Sequence, residues 1–522
     1  MKHDRQHGKD GFRSFPGALA IILTGHMPYL RAAGRRPDGE DPLHEMIAYS
    51  IIPTLNVLYD LHERGMRPYV SLAYSPVLLE QLADIVVQKH FVVWMERWLA
   101  RCEAALRRWQ RQRQRHQAYL ARFYLDWGQG VLRSFIERYG RNLVAALREL
   151  CVHGTVEPLG GAATHAYLPL LSRQESVRAQ LDIGTLTVTR LLGRRPRGVW
   201  LPECGFRMGL DQALRLNGTR YFIIDPVSVV SDAQVTYLRP RWVAPRRLIT
   251  LLRAVDASLQ IVSPGIGYVG DPLYLAARRD RVTHLPIWRN GDSDTVVEPY
   301  DPYHAFRRAQ EHAIHFAEWV EIELRAFADR HDRPGIVVIP IDADVLGRRW
   351  FEGVAWLRAL LETVLTQQPF ALTTPSPYLR AFRPRQSVAL RDGSWGPGGD
   401  HSAWNSPASA LLRRAVGEAE DLVVEMARRF PDAHDDRERA LNQAVRELLL
   451  AQSSDWLLLL SRNDASEAHR PWEHLARCEQ MCALAQRSSL DDADQTTLAT
   501  IEEIDNPFTH LNYRVLTAEG VG

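Results

Sequence analysis

Cysteine is scarce in this chain of 522 residues, and its five cysteines are an odd number. None stands in the C-x-x-C spacing that many structural zinc sites use. This pattern excludes a small scaffold held together by disulfides. It favours a reducing compartment, so we expect a cytoplasmic protein. The five are Cys102, Cys151, Cys204, Cys478 and Cys482.

An excess of one charge and long apolar runs are also missing. The 64 basic and 62 acidic side chains leave a net charge of +2, which gives no basis for a nucleic-acid or membrane partner. The apolar run at 18–23 is too short for a signal-peptide core, and no later run approaches the roughly 18 residues of a membrane span. We therefore expect a soluble protein, with the arginine-rich stretch at 107–115 as a solvated helix face.

The composition that remains is that of a large globular protein. With 46% hydrophobic and 24% charged residues, the chain can form two or three domains, and no internal repeat divides it. The fourteen tryptophans exceed what packing usually requires and suggest sugar-binding surfaces.

Short apolar runs alternate with helical patterns along the chain. Runs at 17–24, 69–72, 198–201, 221–224 and 335–341 have the length and β-branched or aromatic content of strands. Alternation of strand and helix predicts a parallel sheet or barrel. We predict a disordered tail at 1–14, a catalytic barrel at 15–84 and 151–390, a helical insertion at 85–150 and a C-terminal helical domain at 391–522.

Two acidic side chains directly follow predicted strands. Glu203 comes after the run at 198–201, and Asp342 comes after the run at 335–341. Because parallel barrel strands open on one face, the two carboxylates can converge there, at the spacing of about 5 to 5.5 Å that a retaining glycosidase needs. An acidic residue at a strand end can also cap a helix or pair with an arginine. For Asp344, a role as a helix cap is an alternative to a role in the site.

Polar and aromatic residues suited to sugar binding lie in two further places. His26 follows the first predicted strand, and His165 follows another that we expect to end near Ala163. Both could hydrogen-bond sugar hydroxyls. A glycine-rich loop at 394–407 carries two tryptophans for stacking on pyranose rings, with an acid and a histidine for hydroxyls: Trp395, Trp404, Asp400 and His401.

A series of motifs in the chain resembles glycoside hydrolase family 57, and most closely its α-1,4-glucan branching enzymes. The resemblance implies an α/β fold, a distorted (β/α)7 barrel with a helical insertion and a C-terminal all-helical domain. The motifs, in order, are GHMPYLRAAG, YSPVLLEQLAD, GAATHAYLPLL, WLPECGFRMGLDQALRLNGTRYFIID, IGYVGDPLY, IDADVLGRRWFEG and SWGPGGDHSAW.

The resemblance also implies roles for individual residues. The glutamate of WLPEC is the family's nucleophile and falls on Glu203, and the aspartate of the IDADVLG segment is its general acid/base and falls on Asp342. Tyr268 and Trp350, in the matching motifs, are implied to bind substrate. The implied partner is an α-glucan, with no metal or other cofactor, and the protein is expected to be a monomer or homodimer.

Four positions depart from the family pattern. A histidine of the first motif is replaced by Thr24, and tryptophans are replaced by Arg36 and Val262. A histidine after the acid/base becomes Arg348, which would lower the pKa of Asp342 if the guanidinium pointed inward and so weaken it as an acid.

Three hypotheses follow. The favoured one is an active transglycosylase that cleaves α-1,4 bonds and forms α-1,6 branches in glycogen-like glucan, with an α-amylase or 4-α-glucanotransferase of the same family as a further alternative to it. The second is an impaired or inactive glucan-binding protein, motivated by the four departures. The third is a metal-dependent enzyme on a similar barrel, such as a deacetylase or α-mannosidase.

Overall fold

Parallel strands surrounded by helices make up the first three-quarters of the computed structural model, which describes residues 9–31, 39–230, 236–245, 248–291, 298–464 and 468–517. The strands in these ranges are β1 Gly17–Gly25, β2 Val70–Tyr74, β3 Val156–Pro158, β4 Gly198–Trp200, β5 Tyr221–Ile224, β6 Val229–Val230, β7 Arg241–Val243, β8 Leu248–Leu252, β9 Gly335–Asp342, β10 Ala371–Leu372 and β11 Ser387–Leu390.

The α-helices of the same ranges are α1 Lys9–Arg13, α2 Asp41–Met46, α3 Ile52–Glu63, α4 Pro76–Ala83, α5 Ile85–Arg111, α6 Arg115–Arg133, α7 Leu143–Val152, α8 Gln174–Leu192, α9 Leu210–Leu216, α10 Val255–Val262, α11 Pro302–Ala328, α12 Gly353–Gln367, α13 Pro375–Ala381, α14 Ala410–Arg429, α15 Asp435–Ala451, α16 Ser454–Ser461, α17 Arg470–Gln486 and α18 Asp492–Ile504. No helix in the described ranges is both long and apolar enough to cross a bilayer.

Seven strands form the barrel. β1 pairs with β9 and with β2, and β2 pairs with β3, all in parallel. A parallel bridge between Gly160 and Val199 leads to β4, which continues through β5 to β8. Just beyond β8, the Ala254 N–H donates to the Val338 carbonyl of β9 at 2.8 Å and closes the ring. The predicted α/β barrel is confirmed.

Alternate residues of these strands fill the barrel. Ala18, Ala20 and Ile22 of β1 lie in one cluster with Ile336 and Val338 of β9. The residues between them belong to a second cluster with the surrounding helices. Because a strand repeats every two residues and both faces are buried here, the whole run is apolar. This explains why the sequence predicted β1 and β9 so clearly.

Two local predictions are wrong. The strand expected to end near Ala163 is β3, which ends at Pro158, and His165 lies in a turn with a left-handed φ of 57°. The tail predicted to be disordered at 1–14 contains α1, and residues 1–8 lie outside the described residues. Phe12 of this helix is buried against the rings of Tyr378 and Phe382, at 5.8 and 6.0 Å, because it fills the end of the barrel where β1 begins.

Two helical regions surround the barrel. Helices α5 to α7 lie between β2 and β3, where the insertion is predicted, and share a hydrophobic core with the barrel. Helices α14 to α18 form their own core, which also takes in Tyr29 and Tyr167 from the loops that follow the strands. Thr164 Oγ1 donates to the Leu449 carbonyl at 2.5 Å. This contact holds the last turn of α15 against the loop that follows β3, and the Ser454 N–H, at the start of α16, donates to the His165 carbonyl at 3.3 Å.

Candidate active site

Glu203 stands on a strained turn directly after β4. The segment Pro202–Cys204 is a short 3-10 turn in which Glu203 has φ 58° and Cys204 has φ 50°. Left-handed backbone at two consecutive non-glycine residues costs free energy and persists only where the surroundings enforce it. Here it breaks the buried strand abruptly, and the Glu203 side chain remains 19% exposed.

Trp395 holds Glu203 in place from the glycine-rich loop. Its indole Nε1 donates to Glu203 Oε2 at 2.7 Å, and its backbone N–H donates to the Glu203 carbonyl at 3.3 Å. Of the two tryptophans predicted in this loop, Trp395 is therefore the one that contacts the carboxylate.

Asp342 is the last residue of β9 and lies in register with Thr24 of β1. The backbone N–H of Asp344 donates to its Oδ1 at 2.9 Å and fixes the carboxylate. Glu203 and Asp342 thus both lie at the carboxyl ends of barrel strands, as predicted. The charge of Asp342 contributes to raising the pKa of Glu203.

His26 and His165 form a stacked pair beside Glu203. Their ring centroids lie 4.1 Å apart with an interplanar angle of 10°, and His165 Nδ1 is 4.0 Å from Glu203 Oε1. His26 Nδ1 contacts Ser75 Oγ at 2.8 Å, and His165 Nδ1 contacts Ser454 Oγ at 3.0 Å. The structure brings both predicted histidines into the same place as the carboxylate.

Asp455 is a third carboxylate of the site, beside Glu203 and Asp342, and the sequence did not predict it. It belongs to the first turn of α16, and its Oδ2 lies 2.6 Å from His26 Nε2, 429 residues away in the chain. Ser453 donates to the same oxygen at 2.6 Å. In sequence, Ser-Ser-Asp before a leucine-rich run is typical of the start of a helix. Capping of the helix therefore explains Asp455 fully, and nothing in the pattern indicates its contact with His26.

The protonation states of the carboxylates differ. Burial raises the pKa of Glu203 to about 7, although the indole of Trp395 opposes the shift, and the charges of Asp455 and Asp342 add to it. Burial and the charge of Asp344 raise the pKa of Asp342 to about 6. Burial would also raise the pKa of Asp455, but the facing His26 and its hydrogen bonds outweigh burial and hold that pKa well below its usual range.

His165 carries no charge at neutral pH. Burial lowers its pKa well below the usual range, and the neighbouring His26 adds to the effect. A neutral imidazole beside Glu203 can exchange hydrogen bonds with hydroxyl groups as donor or acceptor, according to its tautomer. The cluster therefore combines two carboxylates that gain and lose protons near neutral pH with one that stays ionised. This composition is suited to acid–base and nucleophilic chemistry on a polyhydroxylated substrate.

Comparisons with known proteins agree with this geometry. The model of glycosyl hydrolase family 57 matches residues 20–391, and that of the 1,4-α-glucan branching enzyme C-terminal region matches residues 415–516. The chain belongs to glycosyl hydrolase family 57.

Similar proteins include two branching enzymes and an α-amylase. A 1,4-α-glucan branching enzyme of Thermococcus kodakarensis is 31% identical, with 94% of this chain and 77% of that protein covered. The crystal structure of a family 57 branching enzyme from Pyrococcus horikoshii superposes with a TM-score of 0.90 at 32% identity, covering 97% of this chain and 98% of that one. An α-amylase structure from Thermotoga maritima has a TM-score of 0.87 at 26% identity, covering 96% and 99%.

Arg348 of this family 57 member does not act on Asp342 as predicted. Its Nη1 lies 2.5 Å from Asp344 Oδ1 and its Nε lies 3.1 Å from Glu45 Oε2. These two acids neutralise the guanidinium, and Arg349 also pairs with Asp344 at 2.5 Å. Burial and the charge of Asp344 instead raise the pKa of Asp342.

Three aromatic residues predicted to bind sugar are almost completely buried. Trp350 is 1% exposed and packs against Tyr274 and Trp356. Tyr268 is 4% exposed, stacks on His312 and shares a hydrogen bond with His315, and it lines an open cavity with these two histidines. Trp404 is 2% exposed and stacks on Tyr167 at 4.4 Å. Half of the fourteen tryptophans are buried in this way: Trp98, Trp109, Trp200, Trp350, Trp356, Trp404 and Trp456.

The remaining predicted positions are placed as follows. His401 Nδ1 contacts the Tyr167 hydroxyl at 2.7 Å, and Asp400 is exposed and accepts from the Ser402 N–H, so both shape the glycine-rich loop. Thr24 is buried, Val262 is half-buried at the end of α10, and Arg36 lies outside the described residues.

Among the described residues, the three side chains placed closely enough to share a metal ion are Glu447, His474 and Asp505, buried among the C-terminal helices. The family assignment counts against the third hypothesis, a metal-dependent enzyme of another family.

Proposed function

We propose that this protein is a retaining 1,4-α-glucan branching enzyme that acts on glycogen-like glucan. The observation that carries the proposal is the placement of Glu203 just after β4 and of Asp342 at the end of β9, both at the carboxyl ends of barrel strands, on a barrel completed by a branching-enzyme C-terminal region. Relatives named as branching enzymes supply the substrate class. We further propose a role in glycogen biosynthesis in the cytoplasm, as a monomer or homodimer.

The mechanism has two displacements at one anomeric carbon. Glu203 attacks that carbon while Asp342 donates a proton to the departing oxygen, which leaves the transferred chain covalently bound to Glu203. Asp342, now ionised, takes the proton of an acceptor 6-hydroxyl, whose oxygen displaces Glu203 to form the α-1,6 branch. The proton lost in the first step is regained in the second.

The reactive form requires Glu203 ionised and Asp342 protonated. The pKa values, about 7 for Glu203 and about 6 for Asp342, place a single proton more often on Glu203, so the reactive form is the less populated of the two singly protonated forms. Because the two pKa values are close, both forms are present near neutral pH. Asp455 supplies a fixed negative charge that holds His26 and its stacked partner.

The pH dependence follows from this pairing. The pair carries one proton between about pH 6 and 7, so kcat/KM should be highest there. It should fall at lower pH, where both groups are protonated, and at higher pH, where both are ionised. Asp344→Asn removes a charge that raises the pKa of Asp342. Because Asp342 has the lower of the two pKa values, the low-pH limb should move to lower pH and the maximum should decrease, and a low-pH limb that stays or moves upward would contradict the assignment.

Asp455→Asn tests the contribution of the C-terminal helices. Asn keeps the shape and the hydrogen bond from Ser453 but loses the charge that orients His26, so kcat/KM should fall about tenfold to a hundredfold with an unchanged melting temperature. The matched control is Asp421→Asn, which removes an exposed carboxylate of α14 and should leave activity at the wild-type level. Wild-type kinetics for Asp455→Asn would exclude the positioning role.

Hydrolysis is the second candidate function, because the α-amylase from Thermotoga maritima has a very similar structure. The two functions differ in the acceptor, an α-glucan 6-hydroxyl or water. Incubation with amylose followed by proton NMR counts α-1,6 linkages and reducing ends in one sample. Branching predicts that α-1,6 linkages accumulate with few new reducing ends. Reducing ends without branches would assign hydrolysis, and new α-1,4 arrangements alone would assign 4-α-glucanotransfer. No change in either number would assign the impaired glucan-binding protein.

A further inference from the structure

A cavity separate from the active site lies at the opposite end of the barrel from Glu203. It opens where β4 and β5 begin, next to the end of α13, and its volume is about 320 Å³. Since β4 separates Arg197, at the cavity, from Glu203, at the active site, the two sites do not overlap. The volume is at the lower end of the range for small-molecule pockets and far too small for a glucan chain.

Four arginines line this cavity: Arg197, Arg220, Arg380 and Arg383. The first two are direct neighbours, because the Arg220 N–H donates to the Arg197 carbonyl at 2.9 Å. All four are exposed, and among the described residues none has a carboxylate within salt-bridge distance. Arginines elsewhere in the chain commonly pair with acids, as Arg253 does with Asp225 at 2.5 Å.

The acid beneath the cavity does not neutralise this cluster. Glu157 is buried, and its carboxylate accepts hydrogen bonds from the Tyr221 hydroxyl at 2.6 Å and from the Ser376 N–H at 3.1 Å, with the Ser376 hydroxyl as a third donor. Its charge opposes only one of the four guanidinium charges. In a chain with a net charge of +2, this local excess of positive charge is uncommon and attracts an anion.

An aromatic wall completes the cavity. Trp242 is half-buried, and its Nε1 donates to the Pro384 carbonyl at 2.9 Å, which holds the ring beside Arg383. Thr219 lines the same side. Guanidinium groups bind phosphate oxygens in pairs, while an indole face packs against a sugar or a base.

We propose that this cavity binds a phosphate ester of a small molecule, either a sugar phosphate or a nucleotide. The guanidinium groups bind the phosphate oxygens, and the indole ring of Trp242 packs against the sugar or the base. The shape favours a small molecule over a polyanion, because the arginines surround a concave space instead of following an extended groove.

Calorimetric titration of the full-length protein at low ionic strength tests the proposal, with inorganic phosphate, glucose 1-phosphate and ADP as separate ligands. At least one should bind with a dissociation constant of about 1 mM or tighter. Arg220→Gln with Arg383→Gln should weaken binding about tenfold or more. The control, Arg107→Gln with Arg111→Gln on α5, removes the same charge and should leave the constant unchanged.

Comparison of the ligands identifies the source of the phosphate. Tighter binding of glucose 1-phosphate than of ADP supports a sugar phosphate, and the reverse order supports a nucleotide. Equal binding of all three would show that phosphate alone is recognised and would overturn the assignment of the organic part to Trp242. Both double variants should retain wild-type branching, which shows that they are folded. The proposal is overturned if none of the three ligands binds, if the control weakens binding as much as the cavity variant, or if single-stranded DNA binds and none of the three does.

Discussion

Replacing Glu203 by Gln is expected to lower kcat for glucan transfer by about four orders of magnitude or more, because the amide cannot form the covalent intermediate. Gln keeps the size of the side chain, and its carbonyl oxygen can still accept the hydrogen bond from the Trp395 indole. The turn should therefore keep its conformation, and the loss should appear in both branching and hydrolysis of amylose.

The matched control for this variant is Glu418→Gln, which changes an exposed carboxylate of α14 that pairs with Arg414. It should retain wild-type activity and melting temperature. Thermal unfolding of both variants separates loss of chemistry from loss of fold. Branching by Glu203→Gln at the wild-type rate would remove Glu203 from the mechanism altogether.

The second large effect is expected for Asp342→Asn, which should lower turnover of glucan by about a hundredfold to ten-thousandfold. A sugar hydroxyl leaves poorly without a proton, so the defect should shrink for a donor with an activated aryl leaving group. Deglycosylation then limits the rate, because no base is left to activate the acceptor. Added azide, which needs no base, should restore turnover and yield a glycosyl azide.

This dependence on the leaving group distinguishes an acid/base from a binding residue. A binding residue would lower the rates for both donors by similar factors, and azide would have no effect. Such a result would remove Asp342 from its assigned role while leaving the fold and Glu203 unaffected.

The barrel was predictable where its strands are long or wholly apolar. β1 and β9 are buried on both faces, so their sequences are continuous apolar runs that end at a polar residue, and these ends mark His26 and Asp342. The short β4 was also recognisable, because Glu203 follows it directly. β3 was not, since its three residues Val-Glu-Pro include a glutamate and a proline, which strands disfavour.

The rest of the site depends on contacts that no local pattern shows. Asp455 reaches His26 only because the C-terminal helices pack on the barrel, a consequence of the whole tertiary structure. Burial of individual aromatic residues is equally non-local: Trp395 and Trp404 share one glycine-rich loop, yet one contacts Glu203 and the other packs on Tyr167. The influence of Arg348 on Asp342 could not be predicted either, because it depends on the ion pairs that Arg348 forms with Asp344 and Glu45.

Trapping of the covalent intermediate tests the central claim most directly. A fluorinated α-glucosyl or α-maltosyl donor that glycosylates the enzyme faster than the adduct breaks down allows the labelled residue to be found by peptide mass spectrometry. The account predicts one glycosyl group on the peptide that contains Glu203, its release by an added glucan acceptor and its absence from Glu203→Gln. An adduct on another residue, or turnover that inverts the anomeric configuration with no adduct at all, would contradict it.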